Sequence, residues 1–129
     1  MDNDTTKMEK ILFALKEKYK QTDNLMTLTK ELEKVLETDD PESFGVVLSM
    51  RQGSMNSIDK LNSDITDVLT KSAGPFREKI LNLLGTEEEQ SEFESPLEKG
   101  IHETNRMTLT LLHKIVKLDD EINKKVRGG

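Results

Sequence analysis

The chain has no cysteine and no tryptophan. The first absence excludes a disulfide scaffold and a thiolate metal site, and it suits a reducing compartment. The second leaves five aromatics (Phe13, Tyr19, Phe44, Phe76 and Phe93), too scattered to form the stacking platform on which single-stranded nucleic acid is read. An excess of positive charge is missing too. There are 19 basic and 25 acidic residues, for a net charge of −6, whereas a protein that neutralises phosphates needs a basic stripe. The local basic groups, Lys16/Lys18/Lys20 and Lys124/Lys125/Arg127, read first as solvated helix faces. No apolar run approaches the ~20 residues that span a bilayer. The opening Met1-Asp2-Asn3-Asp4 is unlike the basic-then-apolar start of a secretory signal. The expectation is a cytoplasmic protein with neither nucleic acid as partner nor insertion into a membrane.

Apolar residues are also scarce, at 33% against 34% charged residues in a chain of 129. Disorder would account for that ratio, but disordered segments lack regular spacing of Leu, Ile and Val. Here the spacing is regular. Long helices with one narrow apolar stripe and much wet surface account for both observations. Only three prolines interrupt them. The breaks they mark are Asp39-Asp40-Pro41 and the stretch from Gly74-Pro75 through the acidic Thr86–Ser95 to Pro96.

Four helices follow, at about 5–38, 41–73, 76–84 and 96–127, in one domain. The first carries Met8, Ile11, Leu12, Leu15, Tyr19, Leu25, Met26, Leu28, Leu32, Val35 and Leu36 on one side. Thr22, Asp23 and Asn24 are poor helix formers and mark the weak spot of this helix, where a bend or a short break would fall. The second starts on Asp40 as cap with Pro41 at the first helical position. Its stripe reads Phe44, Leu48, Arg51, Met55, Ile58, Asn62, Ile65, Leu69, a 4-3 repeat of coiled-coil type. The polar Arg51 and Asn62 fall on it, either as register-setting core residues or as contacts to a bound segment. Thr86 with Glu89 matches a capping box inside an otherwise acidic connector. Ser95-Pro96-Leu97-Glu98 opens the last helix, whose seam is Leu97, Ile101, Thr104, Thr108, Leu111, Ile115, Leu118, Ile122. The short first connection makes the first two long helices antiparallel neighbours. The expected fold is all-α, an elongated antiparallel bundle of three long helices with a short one between the second and third.

Little in the chain suggests chemistry. His102 and His113 lie about 16 Å apart along one helix, too far to share a metal ion. A phosphotransfer histidine would suit a bundle, but His113-Lys114 lacks the small neighbours such a site needs, and both read as surface histidines. Asp39/Asp40 is explained as a cap, and Asp119/Asp120 point in different directions. There is no glycine-rich phosphate loop and no Ser/His/Asp grouping. Val126-Arg127-Gly128-Gly129 resembles a ubiquitin-like tail but has no β-grasp pattern ahead of it. No catalytic residue, metal or cofactor is expected, and the protein is not expected to be an enzyme. The informative residues are Leu109, Leu112, Val116 and Val126, apolar and off the seam of the last helix. They widen the core face, or they form a second surface on which a partner's amphipathic helix lies. With Arg51 and Asn62 they are the candidate partner-binding residues.

Two stretches resemble the flagellar type III export chaperones of the FlgN and FliT type. One is Leu36-Glu37-Thr38-Asp39-Asp40-Pro41-Glu42-Ser43-Phe44, then Leu48-Ser49-Met50-Arg51-Gln52 and Ile58-Asp59-Lys60-Leu61-Asn62. The other is Ile101-His102-Glu103-Thr104-Asn105-Arg106. The family commonly has an acidic break after a long first helix, a basic-glutamine pair (here Arg51-Gln52) and an Ile-Asp-x-Leu pattern. The longer acidic connector departs from its tighter forms. The resemblance implies a cytoplasmic, ATP-independent chaperone. Its partner would be the C-terminal amphipathic helix of a flagellar hook-associated or filament-cap protein, with the export apparatus as a further contact. The rival expectations are a structural coiled-coil adaptor, such as a homodimer, and a histidine phosphotransfer domain.

Overall fold

The structure, a computed structural model, describes residues 3–85 and 92–128. Four helices account for nearly all of them: α1 Asn3–Thr38, α2 Pro41–Thr70, α3 Gly74–Leu84 and α4 Pro96–Gly128. α1 packs along its length against both α2 and α4, while the backbones of α2 and α4 stay farther apart. The chain is an all-α bundle.

The turn between α1 and α2 is set by two aspartates. Asp39 takes a positive φ of 55°, a conformation that Asp tolerates better than most residues. Asp40 then caps α2, its Oδ1 accepting from Ser43 N at 3.2 Å and its Oδ2 from Ser43 Oγ at 2.7 Å. These two bonds hold the Asp40 carboxyl below the usual range, the side-chain bond contributing most.

Three apolar clusters stack along the bundle and fix its directions. The lowest and largest brings Ile11 and Leu15 of α1 together with Ile65 and Leu69 of α2, Phe76, Ile80 and Leu83 of α3, and Ile101 of α4. The middle one is Leu25, Ile58 and Ile115. The upper one is Leu32, Val47 and Ile122. Rising numbers in α1 and α4 meet falling numbers in α2, so α2 is antiparallel to both and α4 is parallel to α1. Gly100 leaves room on α4 for the Leu12 side chain of α1, since a Cβ there would lie 3.2 Å from Leu12 Cδ2.

Thr22, Thr29 and Thr108 are fully enclosed in this core. Each hydroxyl donates to the carbonyl four residues earlier, at 2.7, 2.7 and 2.9 Å, leaving the methyl group to pack. That internal satisfaction is what makes a buried hydroxyl tolerable. α1 passes through Thr22–Asn24 without a break.

The seam of α2 differs in phase from the expected one. Phe44, Arg51, Ile58 and Ile65 do face inward, but the alternate positions are Val47, Ser54, Leu61 and Val68, three residues on rather than four. Leu48 and Met55 are 41% and 40% exposed, and Asn62 is exposed, so Asn62 does not set register in the core. Both 4-3 phases fit the heptad, and Met55 is apolar while Ser54 is not. Ser54 is buried because Asn24 Nδ2 donates to its Oγ at 2.9 Å. The seam of α4 is as expected, with Ile101, Thr108, Ile115 and Ile122 buried.

α2 ends at Thr70, short of the expected Ala73. The chain turns over Lys71–Ala73 because Gly74-Pro75 opens α3 instead of merely stopping α2. Arg77 of α3 then satisfies the carbonyls left at the end of α2. Its Nε donates to Leu69 O at 2.9 Å and its Nη2 to Ser72 O at 2.7 Å. The capping box expected at Thr86 and Glu89 lies outside the described residues.

Candidate partner-helix groove

α3 is seated between α2 and α4 at the lower end of the bundle, and the side chains that fasten it mark which columns of α4 face it. Glu98 and Asn105, seven apart, form one column. Lys79 Nζ pairs with Glu98 Oε2 at 2.9 Å, and Asn105 Nδ2 donates to Leu84 O at 3.0 Å. His102 belongs to the neighbouring column, its Nδ1 3.0 Å from Leu83 O, which as Nδ1–H donates to that carbonyl. The expectation of a surface histidine is corrected for His102, which is 1% exposed with its ring 5.4 Å from that of Phe93. His113 is exposed. Glu98, three residues after the Ser95 cap, turns its side chain to Lys79, while its backbone N–H donates to Ser95 Oγ at 3.2 Å. Lys79 also binds Glu94 at 2.9 Å. Those two bonds raise the Lys79 pKa, Glu94 contributing most, and Lys79 in turn lowers that of Glu94.

The contacts of α3 rise together with α4: Lys79 to Glu98, Leu83 to His102, Leu84 to Asn105. α3 therefore runs parallel to α4 and occupies the fourth position of a four-helix bundle. It stops after 11 residues, while α4 continues for more than twenty beyond Asn105.

Continued by sevens, the two columns give the candidate residues. Glu98 and Asn105 lead to Leu112, Asp119 and Val126, and His102 leads to Leu109 and Val116. The four off-seam apolar residues of the last helix thus lie on the line that α3 covers lower down. Leu109 and Leu112 are half-buried, and Val116 and Val126 are 57% and 52% exposed. The opposite wall is the matching column of α2. Leu69, its lowest member, is buried in the cluster with α3, and Asn62, Met55 and Leu48 follow upward, open to solvent.

Arg51 forms the floor. Its Nη2 lies 2.9 Å from both carboxylate oxygens of Asp119, which ties α2 to α4. The Arg51 side chain is 12% exposed and that of Asp119 36%. The Nε of Arg51 is buried without a hydrogen-bond partner. Arg51 is therefore spent on an internal ion pair. Asn62 stands free of the core at the groove's lower end. Sequence reading overlooked Asp119 as partner, although a basic residue at a seam position calls for a carboxylate across from it.

Other apolar side chains are exposed singly outside this groove, among them Phe13, Val46, Met50, Leu81 and Met107. A cleft of about 440 Å³ between α1 and α2, on the far side from α4, is lined by Lys10, Phe13, Leu61, Asp64 and Val68 among others. Its rim carries ordinary exposed charges, and Phe13 is its one large exposed apolar side chain. At the top, Lys125 binds Glu33 and Glu37 across α4 and α1, and its pKa is raised chiefly by the bond to Glu33. Lys18, half-buried at a seam spacing of α1, has its pKa lowered by burial. Among the described residues no group of three or more His, Asp or Glu side chains is placed to hold a metal ion. None of the helices is long and apolar enough, within those residues, to cross a membrane.

Comparison of the chain with protein-family models, with curated proteins and with solved structures finds no match in any of the three. The functional reading rests on the residues themselves.

Proposed function

We propose that the protein is a holder of a partner's amphipathic helix, working as a cytoplasmic, ATP-independent export chaperone of the flagellar type III class that its sequence resembles. The observation that carries the reading is the half-filled fourth position of the bundle. Above the end of α3, both walls of the groove present apolar side chains to solvent: Leu48 and Met55 on one side, Val116 and Val126 on the other. Scattered apolar residues on a surface need no explanation, but a row of them lining a groove does. A helix lying there would bury both rows, as helix-in-groove recognition does. Methionine in such a wall adapts to side chains of different shape. The acidic outer surface would keep the complex soluble while an aggregation-prone stripe is covered.

The client class follows from the resemblance: the C-terminal helices of hook-associated or filament-cap proteins. The test is calorimetric titration of the protein with such peptides, with the mass of the complex measured by light scattering. A saturable one-to-one complex is expected. The paired substitution Leu112→Asp and Val116→Asp should weaken it at least tenfold and leave helical content within a tenth of wild type. Absence of binding to all such peptides, together with a stable oligomer of the free protein, would refute the chaperone reading in favour of a structural adaptor.

A further inference from the structure

The groove also has a direction and a length, and these constrain its occupant. The open part runs beside α4 from Leu109 to Val126, roughly 18 residues or about 27 Å of helix. We propose that the occupant is an amphipathic helix of a second protein that continues the line of α3. It runs parallel to α4, its N-terminal end against the C-terminal end of α3. Its buried face carries apolar, uncharged residues spaced alternately four and three apart. The inference rests on the groove reading above and adds the polarity and chemistry of what binds.

α3 is the template for that chemistry. It meets the lower groove with Phe76, Ile80 and Leu83, a 4-3 apolar spacing, and its charged Lys79 stands at the edge, where Glu98 of α4 pairs with it. The open floor also asks for apolar side chains, because its one pair of charges, Arg51 and Asp119, is already joined in an ion pair and the remaining Arg51 Nε is enclosed. A charged residue on the occupant's buried face would be desolvated without a partner.

Electrostatics sets the polarity. The C-terminal end of α3, which carries the negative end of its dipole, faces the lower mouth of the open groove. Asp59, one turn below Met55 on the adjoining column of α2, adds a negative charge on that side. At the upper mouth stands Arg127, exposed in the last turn of α4. A helix laid parallel to α4 brings its positive N-terminal end to the negative mouth and its negative C-terminal end to Arg127. The reverse placement opposes both ends.

The absence of cysteine in the chain makes the test direct. Single variants Ser63→Cys and Ser49→Cys place a nitroxide label on α2 toward the lower and upper mouths, about 21 Å apart; both serines are exposed. Phe13→Cys places a control label on the opposite cleft. The probe is a synthetic, isotope-labelled 18-residue helix-forming peptide with Phe, Ile and Leu patterned as in α3. The expected result is broadening of its N-terminal amides by the label at 63 and of its C-terminal amides by the label at 49. The opposite pattern would overturn the polarity and leave the groove standing. Broadening from position 13 alone would overturn the groove as well. Failure of this probe to bind, while a native client peptide binds with broadening from 49 and 63, would remove the stated stripe chemistry but not the chaperone reading. Labels at 49 and 63 that broaden a second copy of the chain, in a dimer that the peptide cannot displace, would replace the foreign helix with a homodimer.

Discussion

Removing Asp119 should cost far more stability than removing any other carboxylate on the outer part of the bundle. Arg51 is held in a seam position with its side chain 12% exposed, and both close contacts of its Nη2 are to Asp119. At 4 Å, two unit charges attract by about 4 kcal/mol at an effective dielectric constant of 20. Desolvation of the guanidinium offsets much of that, and more so here because its Nε already lacks a partner. In Asp119→Ala the attraction is lost while the desolvation remains. For fully buried pairs that change costs roughly 3–5 kcal/mol. Asp119 is 36% exposed, so water screens part of the loss, and a value of about 2 kcal/mol is expected. In a chain of this size that corresponds to a fall of about 7 °C in Tm. The double variant Arg51→Leu with Asp119→Leu removes the charges together and should lie within about 1 kcal/mol of wild type. The control is Asp64→Ala, whose partner Lys60 is exposed and whose loss should change stability by less than about 0.5 kcal/mol. Urea denaturation followed by circular dichroism measures all three. A single variant as stable as the control, or a double variant as unstable as the single one, would refute the account of Arg51 as a buried cation held by one carboxylate.

Lys18→Met should raise stability by about 1 kcal/mol, as filling a seam position with an apolar side chain commonly does. The pH dependence has a definite sign. Burial lowers the Lys18 pKa below its ordinary value of 10.5, so the unfolded chain binds more protons as pH approaches 10.5, and this residue's contribution to stability rises with pH. The methionine variant should lose that rise, and an identical pH profile for the two proteins would count against the burial. Lys79 and Lys125, raised by their carboxylate partners, act oppositely: their contributions are intact below 10.5 and lost as pH climbs through their raised values. Thr108→Val should be neutral or stabilising by up to about 1 kcal/mol, because the hydroxyl it deletes serves only its own helix; a loss beyond 1 kcal/mol in thermal melts would mean that the hydroxyl has another partner. Asp39→Gly should gain up to about 1 kcal/mol by relieving the positive φ, and a destabilised variant would show that its side chain matters to the turn.

Helix positions were legible wherever a cap or a proline marked them. Asp40-Pro41 and Ser95-Pro96 start α2 and α4 at the expected residues, because capping is local chemistry that spacing in the chain determines. The end of α2 was less legible. The residue that satisfies its last carbonyls is Arg77, on the next helix, and nothing in the sequence near Thr70 announces it. His102 illustrates the same limit. Its burial depends on α3 stopping where Leu83 offers a carbonyl and on Phe93 coming back to cover the ring. Both are long-range facts that a count of two histidines does not contain. For Leu109, Leu112, Val116 and Val126, the sequence showed apolar residues off the seam but could not say what lay over them, since that depends on how far α3 reaches.

The phase of α2 connects these points. Leu48, Met55 and Asn62 were assigned to the core because they repeat with Phe44, Arg51, Ile58 and Ile65 at the right spacing. In a three-helix bundle that assignment fails, since two columns suffice to fill the core, and Val47, Ser54, Leu61 and Val68 supply the second. A helix in a four-helix bundle needs a third inward column to face its additional neighbour. α2 has that third column, with Leu69 covered by α3 and Leu48 and Met55 bare. α4 has it as well, in Asn105 covered and Leu112 and Val126 above it. Two helices thus carry a third column toward the fourth position, apolar at Leu48, Met55, Leu112 and Val126 above α3, while the chain supplies a fourth helix of only 11 residues. The pattern that misleads about the core of the free protein is the one a core completed by a second chain would require.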